Sequence, residues 1–228
     1  MLINHRRALL YSLLLLASLA FILFAVGRHP PSEAPATSFA FVGRFDQNVY
    51  NWMQNIRITP LTWVFRALNV IGGGIVTIPL RSIGSLILLI RRRWWQFSAF
   101  VLTWAASEIL LTLTKSYFHR GRPPGSLVST TGFSFPSGHA VAAAATAVGL
   151  VLAFLPPGGR RRKWELVAVA FAFVMALSRV YLNAHWFADV VSGVLLGSGI
   201  ALGSAALVWE IHTLAPRRRG VQPAAGTG

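Results

Sequence analysis

Six apolar blocks dominate the chain, at residues 8–26, 67–90, 94–114, 137–155, 164–182 and 187–209. Each comes close to the ~20 residues that a helix needs to cross a hydrocarbon core. Apolar runs of this length leave few folds open. In lipid, every backbone N–H and C=O must be paired inside a helix or a closed barrel, and no stretch alternates apolar and polar residues for long enough to supply barrel strands. The expected fold is all-α and integral to the membrane, a six-transmembrane-helix bundle, with 54% of the 228 residues hydrophobic.

The charge pattern orients the bundle. The net charge is +15, and 12 of the 21 Lys and Arg residues are gathered in Arg6-Arg7, Arg91-Arg92-Arg93, Arg160-Arg161-Arg162-Lys163 and Arg217-Arg218-Arg219, each at the end of an apolar block. Basic residues at that place tend to stay in the cytoplasm. If all four clusters do so, both termini are cytoplasmic, which an even number of spans permits. Trp94, Trp95, Trp164 and Trp209 lie beside the clusters, where amphipathic rings occupy the headgroup level. No basic stretch is interleaved with exposed aromatics or carried on a soluble domain, so the expected partners are the bilayer and its lipids, with no nucleic acid. Arginine far outnumbers lysine and the chain is short, a combination compatible with a bacterial inner (plasma) membrane protein. The chain has no cysteine, which removes disulfides, thiolate metal sites and cysteine nucleophiles.

The whole of 1–228 reads as one membrane domain: a first span at 8–26, an outer loop at 27–66, a core at 67–209 and a cytoplasmic tail at 210–228. The first block is longer than the apolar part of a signal peptide, and the faint cleavage site Ala34-Pro35-Ala36 lies well beyond it, so an uncleaved anchor is preferred. The linker RHPPSEAPATS is polar and proline-bearing. After it, Phe45, Val49, Trp52 and Ile56 recur at helical spacing among Asp46, Gln47, Asn51 and Asn55. That pattern predicts an amphipathic extracytoplasmic helix along the outer surface, either a connector packed on the bundle or an element that admits lipid.

The turns after spans three and five are separated by two spans, so they open on the same face, opposite the arginine clusters. The first carries Lys115 and Arg122 and runs into Pro136-Ser137-Gly138-His139; the second carries Arg179, His185 and Asp189. Singly, these residues read as snorkelling ends, a helix cap and an interfacial imidazole. Together, three cations, two histidines, a carboxylate and a helix amino terminus suit a tetrahedral oxyanion, because Arg and Lys are the usual partners of phosphate oxygens. Pro136 is expected in the first helical turn, where its missing N–H costs nothing. Ser137 and the bare backbone of Gly138 then bring a hydroxyl, N–H groups and the positive end of the helix dipole towards the anion.

Lys115 followed after six residues by Arg122-Pro123, then Pro136-Ser137-Gly138-His139, then Ser178-Arg179 followed after five residues by His185 and after three more by Asp189, resemble the three signature motifs of a known family. That family is the type 2 phosphatidic acid phosphatase superfamily, the lipid phosphate phosphatases, related to vanadium haloperoxidases. The resemblance implies hydrolysis of a lipid phosphomonoester or diphosphate through a phosphohistidine, with no metal and no cofactor. It implies that His185 is the nucleophile, Asp189 its orienting carboxylate and His139 the general acid and then base. Lys115, Arg122, Ser137, Gly138 and Arg179 are implied to hold the phosphate. The substrate left open is phosphatidate, phosphatidylglycerol phosphate or a polyprenyl diphosphate such as undecaprenyl diphosphate. His119 and Arg120 fall at spacer positions of the first motif and receive no catalytic role, beyond a possible touch on a headgroup.

Other readings share these letters. A lipid-to-lipid phosphotransferase uses the same intermediate, and a non-catalytic carrier of anionic lipids uses the same basic cluster. A haloperoxidase has a similar anion cradle but is a soluble protein, unlike a chain with six apolar blocks. Glu108 and Arg81 are charges inside spans, either functional or a structural pair in the bundle.

Overall fold

The structure, a computed structural model, describes residues 5–27 and 40–214. The linker at 28–38, Ala34-Pro35-Ala36 and Arg217-Arg218-Arg219 lie outside them. The described residues form eight helices and no strand: α1 His5–Gly27, α2 Ala40–Asn55, α3 Thr59–Gly72, α4 Gly74–Ile90, α5 Trp94–Phe118, α6 Gly138–Phe154, α7 Gly159–Tyr181 and α8 Phe187–Leu214. The protein is an all-helical integral membrane protein. Its apolar side chains point outward, as Leu9, Leu13 and Phe21 do on α1, Ile75, Ile83 and Ile90 on α4, and Leu166, Val169 and Phe173 on α7. Its interior is instead rich in Ala, Ser and Gly, the arrangement expected where lipid is the solvent and helices associate by close backbone packing.

Helices α1, α5, α7 and α8 are each long and apolar enough to cross a membrane. The expected span at 67–90 begins earlier and is broken: α3 and α4 pass the same test only as a pair bent by 43°. Glycine supplies the break, because Gly72-Gly73-Gly74 removes three side chains and Gly73 adopts an extended conformation that ends one helix and begins the next. The span expected at 137–155 is a helix of 17 residues, a little shorter than its neighbours.

Helix α8 is the spine, packed along both α6 and α1. A Cβ on Gly193 would lie 2.7 Å from the Ser137 carbonyl oxygen, and one on Gly197 would lie 2.5 Å from that of Val141. Two glycines four residues apart therefore let the α8 backbone press directly on α6, as small residues at that spacing do between membrane helices. Ser12 Oγ on α1 donates to the Gly199 carbonyl of α8 at 2.8 Å. Because α6 and α8 meet at their amino-terminal ends, the Ser137 N–H donates to the Asp189 carbonyl at 3.0 Å. This contact brings the second and third motifs together. The Arg91–Arg93 turn and Arg160–Lys163 lie at the opposite end of the bundle, where α5 and α7 begin.

Helix α2 exists where periodicity placed it, but the apolar set is split and one polar residue is buried. Val42, Asp46, Val49 and Met53 turn towards the bundle, while Phe45, Trp52 and Ile56 are exposed. The polar residue goes inward because Asp46 finds two partners there, the Arg120 guanidinium and the Ala188 N–H. The aromatic stripe is left facing outward, with Phe41 stacked beside Phe45.

Candidate active site

Helix α5 ends with Lys115 in its last turn, and His119 closes it in the left-handed conformation with φ 47°. The reversal sends residues 120–137 across the end of the bundle. Lys115 Nζ donates to the Phe133 carbonyl at 2.5 Å. The Arg122 guanidinium is gripped by carbonyls: Nε donates to Gly132 at 3.0 Å, Nη2 to Thr131 at 2.8 Å, and Nη1 to Ala184 at 2.7 Å. The Ala184 contact ties the first turn to the second. It also presents Arg122 Nη1 to His185 Nε2 at 3.1 Å.

A guanidinium only donates, so His185 Nε2 accepts and the ring proton resides on Nδ1. Nδ1 faces the other way, 3.6 Å from Asp189 Oδ2 and 3.5 Å from Ser134 Oγ. Burial, first, and the nearby Arg179 and Arg122 charges lower the His185 pKa to about 4 against the pull of Asp189, so the ring is neutral at pH 7. Burial likewise lowers the pKa of Arg122.

Asp189 is fully buried. A lone carboxylate there would be very costly, and it is matched on every side. Oδ1 accepts from Arg120 Nη1 at 2.5 Å; Oδ2 accepts from Ser134 Oγ and from the Trp186 N–H at 2.9 Å. The last bond is the side-chain half of a capping box, in which a residue in the first turn satisfies the backbone N–H at the helix start. The positive end of α8 favours the same charge.

His139 lies in the first turn of α6, with Nε2 3.1 Å from the Asn69 carbonyl oxygen at the end of α3. The Gly break makes this approach possible: a Cβ on Gly72 would lie 3.2 Å from His139 Cδ2 and 2.5 Å from Met175 Sδ. Asn69 Oδ1 accepts from Arg179 Nη1, so one residue of α3 holds both a motif histidine and a motif cation. His139 is within electrostatic reach of Arg179, His185 and Arg122.

All the motif residues thus gather at one end of the bundle, with three differences from the sequence expectation. Pro136 precedes the helix instead of occupying its first turn, since α6 begins at Gly138 with Ser137 as its cap. Ser137 is fully buried, and its Oγ accepts from the Ala140 N–H at 3.5 Å, which leaves the hydroxyl proton and one lone pair for other partners. Arg120, given no role beyond a possible headgroup contact, is buried between Asp46 and Asp189. Among the described residues no group of three His, Cys, Asp or Glu side chains is placed to hold a metal ion.

Residues 96–213 match the PAP2 superfamily, just over half of the chain and all three motifs. The chain belongs to the PAP2 superfamily. It is 31% identical over 149 residues to phosphatidylglycerophosphatase B of Bacillus subtilis, covering 62% of this chain and 72% of that one. It is 28% identical over 165 residues to the undecaprenyl-diphosphatase of Sulfolobus acidocaldarius, covering 69% and 75%. The crystal structure of a transmembrane PAP2 type phosphatidylglycerolphosphate phosphatase from Bacillus subtilis superposes with a TM-score of 0.73 over 91% of this chain and 98% of that one. At 24% identity that likeness shows the fold. Family and relatives agree on the class of this PAP2 protein, a lipid phosphate hydrolase.

Within this PAP2 site, Asn69, Ser134 and Arg120 were not found from sequence. Ser134 lies three residues before Ser137 and had a local signal, the polar letter inside FSFPSGH. Asn69 and Arg120 had none, since their partners are far along the chain.

Proposed function

We propose that this protein hydrolyses a lipid phosphomonoester or diphosphate through a phosphohistidine on His185 Nε2. The observation that carries the proposal is the orientation of that ring: Nε2 turned to the cation Arg122 and Nδ1 backed by Asp189 and Ser134. A phosphoryl group lying among Lys115, Arg122 and Arg179 meets the Nε2 lone pair in line. The cations, with the Gly138 amide and the Ser137 hydroxyl proton, neutralise the equatorial oxygens as charge redistributes. Arg122 exchanges its bond to Nε2 for one to phosphate. Asp189 stabilises the positive charge that grows on the imidazole. His139 protonates the departing oxygen, then takes a proton from the water that breaks the P–N bond and releases phosphate.

The membrane arrangement that goes with this reading is one domain over 1–228 with six spans, the bent pair α3–α4 counting as one and the 17-residue α6 as another. At 1.5 Å per residue α6 reaches about 25 Å, close to the hydrocarbon thickness. Arg91–Arg93 and Arg160–Lys163 at the far end support cytoplasmic termini, an extracytoplasmic site beneath α2 and, for a bacterial chain, residence in the inner membrane. Phosphatidylglycerol phosphate and a polyprenyl diphosphate are the first substrates to try, given the names of the relatives.

The test is phosphate release by the detergent-solubilised protein from phosphatidate, phosphatidylglycerol phosphate and undecaprenyl diphosphate, with and without chelator. Release is expected from at least one, unaffected by chelator and abolished by His185→Ala. Turnover by a folded His185→Ala protein contradicts the assignment. Labelled phosphate appearing in a second lipid instead of in solution identifies a phosphotransferase.

A further inference from the structure

Asp46, Arg120 and Asp189 form an unbroken chain of charge that joins helix α2 to the proposed catalytic pair. Arg120 Nη2 lies 2.6 Å from Asp46 Oδ2, and Nη1 lies 2.5 Å from Asp189 Oδ1. The three side chains retain 2%, 7% and 0% of their exposure. Other bonds hold the chain at each link. Asp46 Oδ1 accepts from the Ala188 N–H at 2.8 Å, the Arg120 carbonyl accepts from the Ser134 N–H at 2.8 Å, and the Arg120 guanidinium stacks 5.8 Å from the Trp186 ring centroid.

We infer that Arg120, held in place by Asp46 of α2, is a positioning residue for the reaction: it fixes the rotation of the Asp189 carboxylate so that Oδ2 faces His185 Nδ1. The inference rests on the phosphohistidine reading and adds to it two residues that are not signature positions, Asp46 on α2 and Arg120 at a spacer position of the first motif. A carboxylate free to rotate spreads its lone pairs over either partner, whereas one oxygen bound to a rigid guanidinium leaves the other for Ser134, the Trp186 N–H and the imidazole. Asp46 has a second effect. An Arg paired to Asp189 alone would cancel the negative charge that the imidazolium needs, whereas a second carboxylate on Arg120 offsets the guanidinium, to a degree that burial reduces by raising the Asp46 pKa. The guanidinium charge is firm, because burial acts against it but Asp189 and Asp46 outweigh burial and raise its pKa. The phosphate cradle is held by other groups, Lys115 and Arg122 by the carbonyls of Phe133, Gly132, Thr131 and Ala184 and Arg179 by Asn69, so loss of Arg120 is expected to act on turnover more than on phosphate binding.

Arg120→Gln, Arg120→Lys, Asp46→Asn and the double variant Asp46→Asn/Arg120→Gln, with His185→Ala alongside, test this in detergent on the substrate that the wild type turns over. Arg120→Gln is expected to lower kcat about 10- to 100-fold with KM and inhibition by inorganic phosphate unchanged, the range found when a supporting contact is lost. Arg120→Lys recovers part of the loss. The double variant is expected to be no slower than Arg120→Gln, since Asp46 acts through Arg120. The acid limb of kcat/KM is expected to move up in pH for Arg120→Gln, because a cation near the Asp189–His185 pair has gone. The other groups facing His185, namely Asp189, Ser134, Arg122, Arg179 and His139, are unchanged. The inference is overturned if Arg120→Gln keeps kcat within twofold of wild type, if Asp46 and Arg120 losses multiply, or if phosphate inhibition and kcat fall together with no movement of the acid limb. An active His185→Ala protein instead removes the phosphohistidine reading itself.

Discussion

Arg122 Nη1 stands 3.1 Å from His185 Nε2, so a permanent donor faces the ring nitrogen that attacks in the proposed reaction. The ring is kept neutral by burial and by the charges of Arg179 and Arg122, with its pKa lowered to about 4. Only the neutral ring has a lone pair to offer, so protonation on the acid side removes activity. On the acid side, kcat/KM is expected to be lost through about pH 4, not through the ordinary histidine value of about 6.5. A fall centred near 6.5 would show that His185 is not shielded in this way.

Asn69 is expected to matter for binding more than for turnover. Its side chain holds Arg179 and its backbone carbonyl meets His139, so Asn69→Leu removes the first contact and keeps the second. A hydrogen bond to a charged group contributes about 1.5–3 kcal/mol, which corresponds to a rise in KM of roughly 10-fold or more. Steady-state kinetics should show kcat within a few-fold of wild type.

Gly197→Ala is expected to destabilise the bundle. The added methyl carbon would lie 2.5 Å from the Val141 carbonyl oxygen and 2.9 Å from the Ala145 nitrogen, backbone atoms that no rotamer change can move. Overpacking of this kind costs about 1–3 kcal/mol. Thermal unfolding in detergent should fall by several degrees, while Gly43→Ala, where nothing lies within 4 Å of the added carbon, should leave the midpoint in place.

The pair Arg81–Glu108 is expected to serve stability and not chemistry. Arg81 Nη1 donates to Glu108 at 2.7 Å, Nε to Thr146 at 2.7 Å and Nη2 to the Ala142 carbonyl at 3.2 Å, which links α4, α5 and α6. Arg81 is buried, and Glu108 is half exposed. Glu108→Gln should lower the unfolding midpoint with turnover per folded molecule unchanged. A loss of turnover without a loss of stability would return Glu108 to the chemistry.

The parts of this fold legible in the sequence are those with a short-range signature. Long apolar blocks mark α1, α5, α7 and α8, and the motif residues are spaced so that His185 and Asp189 fall one helical turn apart. Pairings across long separations were not legible. Arg120 meets partners 74 and 69 residues away, and Asn69 meets Arg179 across 110, so neither letter differs locally from a solvated side chain. Helix α2 shows the limit within one element. Its period is readable, but the burial of Asp46 rests on distant partners, Arg120 and the Ala188 N–H, and Phe45 and Trp52 are left exposed. Gly193 and Gly197 read as ordinary members of an apolar block, although their spacing of four was a visible sign of close helix contact.

Because α6 and α8 touch backbone to backbone at those glycines, His139 and His185 ride on a single stiff block, whereas Lys115 and Arg122 hang from α5 and the segment after it. A bilayer whose thickness tilts α5 is therefore expected to shift Lys115 against a bound anion before it changes the gap that separates the two imidazoles.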